Sequence, residues 1–291
     1  MDARIMNTHL RLVLVNGTRM LQSLDGGERV AKPGGAYGDL ADDTEIRADQ
    51  ILGLAYQKQL LGIKGVATVR VEGLPLAEAQ GKTYHVICDP LDGSLNYKTR
   101  GGGLGLPYSA CVALFDGTDL DALRYRDIRN AGCIDYRSSL PEANSQAHVW
   151  DAWREDGGYA ARFLGKPCQT LREERLDLGR MIVIGEMYYP ENREKLCRAF
   201  AGKKGWLRNP GSAVYEMALV ASGTVAAYVC DRQKQHELPT GVALVLGAGG
   251  VAVDFDGKPL LDAPFDFDAQ QPAILACSQA IADQLLELLR R

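Results

Sequence analysis

The sequence predicts an α/β (α+β) protein made of two lobes in one compact unit, and three observations lead there. The second half alternates short apolar strands with helical stretches. The first half places two helical stretches ahead of a strand-rich region. No repeat, low-complexity tract or long linker separates the halves, so the elements are expected to pack as one layered unit. The boundary is expected between 165 and 180, around Gly165-Lys166-Pro167 and Asp177, giving lobes at 1–170 and 171–291. A chain of 291 residues, 46% of them hydrophobic, closes a large core without disulfide or zinc staples.

Taken in order, residues 5–24 carry Ile5, Leu10, Val13, Leu14, Met20 and Leu21 on a loose helical stripe that Gly26-Gly27 breaks. Residues 43–63 repeat the pattern with Ile46, Ile51, Leu54, Leu60 and Leu61. Thr68 to Val71 is a short strand ending at Glu72-Gly73. Tyr84 to Cys88 is a buried strand that runs straight into Asp89, and Tyr108 to Phe115 is a strand closed by Asp116-Gly117. Between about 120 and 175 only Ile134 to Arg137 and Tyr159 to Phe163 read as strands of a meander. Next come a strand at Met181 to Gly185, a helix at Glu191 to Phe200, and a helix at Ser212 to Ala221 with Ser212 as its N-cap. The chain then reads as a strand at Val225 to Cys230, a helix at Leu238 to Gly247, and strands at Val251 to Phe255 and Ile274 to Ala276. A final helix at Ser278 to Leu289 is capped by its serine.

Composition narrows the function. Lys plus Arg number 33 and Asp plus Glu 37, a formal charge of −4, which argues against a nucleic-acid polymer as partner but leaves room for a small anion. The seven cysteines, at 88, 111, 133, 168, 197, 230 and 277, form no CxxC pair and read as buried thiols of a reducing compartment. The N-terminal residues show no leader pattern, and apolar runs such as Val242 to Leu246 fall far short of a membrane span. The expectation is a soluble, cytoplasmic protein with no membrane partner.

The densest chemical signal is Cys88-Asp89-Pro90-Leu91-Asp92-Gly93-Ser94-Leu95-Asn96. A buried strand ends in one carboxylate, a proline sets the bend, and a second carboxylate follows three residues later. Hard divalent cations want oxygen ligands, and Asp89, Asp92 and the Leu91 carbonyl supply them. Gly93 permits close backbone approach, and the N–H groups that open the turn at Ser94 favour an anion. The layout is a divalent metal beside a phosphate pocket; taken alone, the same residues also suit a surface turn. Gly101-Gly102-Gly103 lacks the Lys-Ser/Thr of a phosphate loop and reads as a plain loop.

Residues 89–96 resemble the first signature of the inositol monophosphatase-like family of metal-dependent phosphatases, Asp-Pro-(Ile/Leu)-Asp-Gly-(Thr/Ser) followed shortly by Asn. Three further matches follow the family's order. Glu72-Gly73 lies where the family keeps a metal-binding glutamate, and Gly211-Ser212-Ala213 resembles its Gly-Ser-Ala helix opening. Glu237 to Gly250 is similar to its second signature, with a carboxylate eleven residues before Ala-Gly-Gly. Together they cover residues 39 to 258. Three departures stand out. The Glu-Glu pair common in the family upstream is reduced to Glu72-Gly73. His236-Glu237 replaces Trp-Asp, with Glu as in fructose bisphosphatases of the superfamily, and Asp39-Leu40-Ala41-Asp42 replaces Thr-x-x-Asp, leaving either Asp42 or Asp43 as the aspartate there.

The resemblance implies a layered α-β-α-β-α sandwich of the sugar-phosphatase type and hydrolysis of the phosphate monoester of a small phosphorylated metabolite. Mg²⁺, or Mn²⁺ in its place, is the implied cofactor, with lithium sensitivity and a homodimer as family traits. Glu72, Asp89 and the Leu91 carbonyl would hold one ion, and Asp89, Asp92 and Glu237 a second. Ser94, oriented by Asp42, would position the attacking water, with Glu72 counted beside them as catalytic. Gly93 and Ser94 would bind the phosphate. Ser212, Asp231 and Arg208 are the substrate candidates, each with a structural reading beside it: Ser212 as N-cap, Asp231 and Arg208 as a surface pair. His236 either helps form the pocket or is a packed or exposed histidine. Fructose-1,6-bisphosphatase and 3′-phosphoadenosine 5′-phosphate phosphatase are alternative activities on the same fold. A non-catalytic metabolite-binding regulatory protein is the alternative of another class.

Overall fold

The first helical stripe forms α1 (Ala3–Gln22), which buries Met6, Leu10, Val13, Leu14 and Leu21 at helical spacing and leaves Ile5 and Leu12 in solvent. The structure, a computed structural model, describes residues 3–24, 29–31, 44–79, 83–98, 105–139 and 147–290. Two short strands, β1 (Arg29–Ala31) and β2 (Thr44–Ile46), pair antiparallel. The predicted second helix therefore begins later than expected, as α2 (Arg47–Leu61), because the β-branched Thr44 and Ile46 take extended backbone. It buries Ala48, Leu52, Tyr56 and Leu60, a row four residues apart.

Then come β3 (Val66–Val71), β4 (Ala77–Glu78), β5 (Tyr84–Asp92), the short helix α3 (Ser94–Lys98) and β6 (Ser109–Asp116). The meander is longer than predicted: β7 (Ile128–Asp135), β8 (His148–Glu155), β9 (Gly158–Phe163) and β10 (Lys166–Pro167). The expected strand at Ile134 to Arg137 is only the tail of β7; Tyr136 and Arg137 turn into a short 3-10 helix. The remainder is β11 (Ile182–Gly185), α4 (Pro190–Phe200), β12 (Trp206–Arg208), α5 (Ala213–Ala221), β13 (Ala227–Lys234), α6 (Leu238–Gly247), β14 (Val251–Val253), β15 (Gln270–Ala276) and α7 (Gln279–Leu289). Ser278 caps α7 as expected, its hydroxyl accepting the Ile281 N–H at 3.3 Å.

Among the described residues the long strands form two sheets, ordered β10-β9-β8-β7-β6-β5-β3-β4 and β12-β11-β13-β15-β14. The period-2 alternation of strand side chains sorts the core into layers. Val86, Cys88, Ala110, Val112 and Leu114 pack on one face of the larger sheet with α1 and α2. Ile87, Cys111, Ala113 and Phe115 face the opposite way, into a cluster with α5, α6 and one face of the smaller sheet. Val183, Ala227, Val229 and Ile274 on that sheet's far face pack with Leu196 of α4 and with α7. The result is the expected α-β-α-β-α stack. The larger sheet's last strand ends at Pro167, and the smaller sheet's first begins at Ile182.

Five cysteines are buried as predicted, but Cys168 is half-buried and Cys197 is exposed on α4. Among the described residues no helix is long and apolar enough to cross a membrane.

Asn96 clasps the loop of the first signature to the loop before α5. Its side-chain amide donates to the carbonyls of Pro107 (2.6 Å), Pro210 (2.9 Å) and Gly211 (3.1 Å). Buried acceptors left without a donor cost about 1–3 kcal/mol, so Asn96→Ala is expected to lower unfolding stability by about that much in urea titrations.

Candidate metal and phosphate site

Asp89 and Asp92 are three residues apart, a spacing that puts side chains on opposite faces of a regular strand. Here the ladder from β5 to β6 slips: Asp89 pairs with Cys111 and Asp92 with Ser109, so three steps on β5 match two on β6. This bulge at Pro90-Leu91 returns Asp92 to the face of Asp89, toward α5 and α6. Glu72 joins from β3, which runs parallel to β5, and its N–H donates to the Cys88 carbonyl at 3.0 Å. Glu237 arrives from the side of the other sheet, at the N-terminus of α6 and three residues past the end of β13.

Each carboxylate is held from one side. The Leu91 N–H donates to Asp89 Oδ1 at 2.9 Å. Asp92 Oδ2 accepts from Ser212 Oγ (2.8 Å), the Val214 N–H (2.8 Å) and Ser109 Oγ (3.3 Å). Gln233 donates to Glu237 Oε2, and the Tyr228 hydroxyl holds Gln233 in turn. The Lys234 ammonium lies 3.1 Å from Glu72 Oε1. One donor atom each from Glu72, Asp89 and His236 lie within 4.8 Å of one another, and so do donor atoms of Asp89, Asp92 and Glu237. Asp89 is common to both groups.

Burial pushes Asp89 well above the usual carboxylate range, reinforced by repulsion from Glu72, Asp92 and Glu237. Burial likewise lifts Glu237, and it raises Asp92 to about 6 against the opposing hydrogen bonds from Val214 and Ser212. Lys234 is raised as well: burial works against its charge, but Glu72 and Glu237 hold the ammonium firmly protonated. Buried carboxylates this close need cations, and oxygen donors suit a hard divalent ion. The donor set therefore fits the metal centre that the sequence implied.

A pH dependence follows for the metal-free protein. Carboxyls raised on folding bind more protons in the folded than in the unfolded state, so their stability contribution falls as pH rises through that window. Asp92 places part of it between 3.8 and about 6, and Asp89 and Glu237 extend it upward. Lys234, raised above 10.5, adds no opposing slope there. Melting in a chelator is expected to show Tm decreasing from about pH 5 to about pH 7.5, with divalent cation restoring more at the higher pH.

The remaining predicted residues are placed as follows. Gly93 has φ +79°, and a Cβ there would lie 2.9 Å from the carbonyls of Gly211 and Pro107. It leads into α3, whose first N–H groups, from Ser94 onward, no helical turn can satisfy. Ser94 is half-buried and Leu91 is buried. Ser212 stands at the N-cap position of α5 without a side-chain cap bond; it is fully buried, and its hydroxyl goes to Asp92. Asp92 supplies the cap instead, accepting the first-turn Val214 N–H at 2.8 Å, while Glu216 accepts from the N–H groups of Gly211 (2.6 Å) and Ser212 (3.3 Å) just ahead of the helix. Asp231 pairs with Lys195 at 2.6 Å, not with Arg208 as the surface-pair reading had it. Arg208 stacks over Trp206 on edge strand β12, 4.7 Å from the ring centre, and donates to the Leu207 carbonyl. Asp42 and Asp43 lie outside the described residues, as does Gly101-Gly102-Gly103.

Lys234, Gln233, Ser109 and Glu216 escaped the sequence reading. Their signal was weak: polar residues ending a strand or sitting inside an apolar helix. His236 is buried rather than exposed, its Nε2 3.3 Å from Glu72 Oε2.

The sequence model of the inositol monophosphatase family matches residues 152–291, a span that holds Ser212 and Glu237; the structure brings Glu72 and Asp89 to them from outside it. No curated protein sequence matches the chain. Solved structures share its fold over nearly the whole length. The extragenic suppressor protein suhB of Bartonella henselae is 18% identical with a TM-score of 0.74, covering 98% of each chain. An inositol monophosphatase from Anabaena (Nostoc) is 18% identical with a TM-score of 0.71, covering 100% of this chain and 97% of its own. A putative sedoheptulose-1,7-bisphosphatase of Toxoplasma gondii is 14% identical with a TM-score of 0.69, covering 100% and 95%. The C-terminal residues 152–291 thus match the inositol monophosphatase family, and the whole chain shares the fold of these solved structures.

Proposed function

We propose that this protein hydrolyses the phosphate monoester of a small phosphorylated metabolite using divalent cations, Mg²⁺ or Mn²⁺. The observation that carries the reading is Asp89, whose carboxylate belongs to both donor groups and so suits two ions side by side. Glu72, Asp89 and the Leu91 carbonyl would hold one, and Asp89, Asp92 and Glu237 the other. Paired ions of this kind lower the pKa of a bound water and stabilise the entering and leaving oxygens of phosphoryl transfer.

The chain's own residues do the rest. Gln233 and Tyr228 fix Glu237, while Ser109, Ser212 and the Val214 N–H fix Asp92. Preset donors of this kind cost no reorganisation when substrate arrives. The N–H groups of Gly93 and Ser94 are assigned to the phosphate, and the Ser94 hydroxyl, with Asp42 or Asp43, to orienting the attacking water. Ser212 acts through Asp92. Asp231, with Lys195 beside it, is kept as a candidate for substrate hydroxyls.

The test is release of inorganic phosphate from inositol monophosphate, fructose 1,6-bisphosphate, sedoheptulose 1,7-bisphosphate and 3′-phosphoadenosine 5′-phosphate, with Mg²⁺ or Mn²⁺ and with chelator. Turnover on at least one substrate, lost with chelator, is expected; none on any sinks the proposal. The Lys234 ammonium on Glu72 favours a second reading, a metabolite-binding regulatory protein, because it neutralises a carboxylate that an ion would otherwise claim. Calorimetry showing tight binding of an intact phosphorylated metabolite in chelator, with no hydrolysis, would favour that reading.

A further inference from the structure

The proposed function assigns the ions to carboxylates and a carbonyl and leaves out His236. Its ring is 1% exposed and lies against Phe267, with 5.6 Å between ring centres. Its carbonyl accepts a hydrogen bond from Cys111 Sγ at 3.4 Å, which ties the residue to β6.

Three carboxylates each have one oxygen held by the protein and the other turned to His236 Nε2. Glu72 Oε1 takes Lys234, and its Oε2 lies 3.3 Å from Nε2. Asp89 Oδ1 takes the Leu91 N–H, and its Oδ2 lies 3.9 Å away. Glu237 Oε2 takes Gln233, and its Oε1 lies 3.9 Å away. Donor atoms around a first-row ion with bonds of about 2.1 Å sit about 3.0–3.4 Å apart. Glu72 Oε2 already stands at that spacing from Nε2, and donor atoms of Glu72, Asp89 and His236 lie within 4.8 Å of one another.

We infer that His236 Nε2 is itself a metal ligand, making the centre a mixed nitrogen–oxygen site that prefers a first-row transition ion such as Mn²⁺ over Mg²⁺. The inference rests on the proposed metal site and deepens it. Imidazole nitrogen adds affinity for transition ions and little for Mg²⁺, whose chemistry is with oxygen. Glu237, the neighbouring residue, belongs to the adjoining donor group, which shares Asp89.

Pulsed EPR on the protein loaded with Mn²⁺ alone tests this without turnover. The expected spectrum shows coupling to a directly bound ¹⁴N that becomes ¹⁵N when the protein is labelled with ¹⁵N-histidine. Of the four histidines in the chain, His236 is the one in the cluster. His236→Gln should lose the coupling and weaken Mn²⁺ binding on the order of tenfold, with a smaller change for Mg²⁺. The labelling result stands even if that variant fails to fold. Bound Mn²⁺ without histidine nitrogen coupling would overturn the inference and leave the phosphatase reading intact, with His236 serving as an internal counter-ion. No Mn²⁺ binding at all would overturn both.

Discussion

Asp89→Asn should reduce metal-dependent phosphate release by about 10³-fold or more while leaving the fold intact. The shared carboxylate is the residue whose loss removes charge from both donor groups at once. Metal-centred charge stabilisation supplies several kcal/mol of transition-state energy, and each 1.36 kcal/mol is about tenfold in rate. The amide keeps an oxygen for the Leu91 N–H that Asp89 Oδ1 accepts. It also removes a buried charge repelled by Glu72, Asp92 and Glu237, so the chelated variant should melt no lower than the chelated parent. Steady-state kinetics with one substrate and melts in chelator check both halves. Unchanged turnover would take Asp89 out of the site.

Gly93→Ala should damage both stability and activity. The backbone there has φ +79°, and the added Cβ would meet the Gly211 and Pro107 carbonyls at 2.9 Å and Ser212 Cβ at 3.0 Å. Two of those contacts are backbone and cannot rotate away. The loop must therefore move from Gly211, the carbonyl that Asn96 holds, and from Ser212, which orients Asp92. Strain and lost packing together are expected to cost about 2–4 kcal/mol in urea unfolding. The folded fraction should lose at least about 10²-fold in kcat, as small misplacements in a preset site do. A variant of parental stability and activity would show that the close approach at Gly93 is unnecessary.

What could be read from residues follows physical lines. Helices with a continuous apolar face, such as α1 and α7, and strands with apolar runs, such as β5 and β6, announce themselves by period. So did the compact signature at 89–96. Strand β13 was half legible, because its apolar start is followed by Gln233 and Lys234, which pair with Gln270 and Gln271 across a register shift. A polar strand end carries no hydrophobic signal, and the residues that hold Glu72 and Glu237 lie there. The bulge in β5 was hidden for another reason. Three-residue spacing alone gives opposite faces, and only the ladder to β6 shows Asp89 and Asp92 side by side. Ser212 shows the limit of local rules. Its sequence context is that of an N-cap, but Asp92 takes both its hydroxyl and the Val214 N–H that a cap would accept.

The central claim is that the clustered carboxylates serve hydrolysis of a phosphate monoester by water. Turnover in ¹⁸O-labelled water with Mg²⁺ or Mn²⁺ tests it most directly, with the products read by mass spectrometry. The account predicts one labelled oxygen in each phosphate released and none in the alcohol product, with release abolished by chelator. Label in the alcohol, or no phosphate released with either metal, would contradict it.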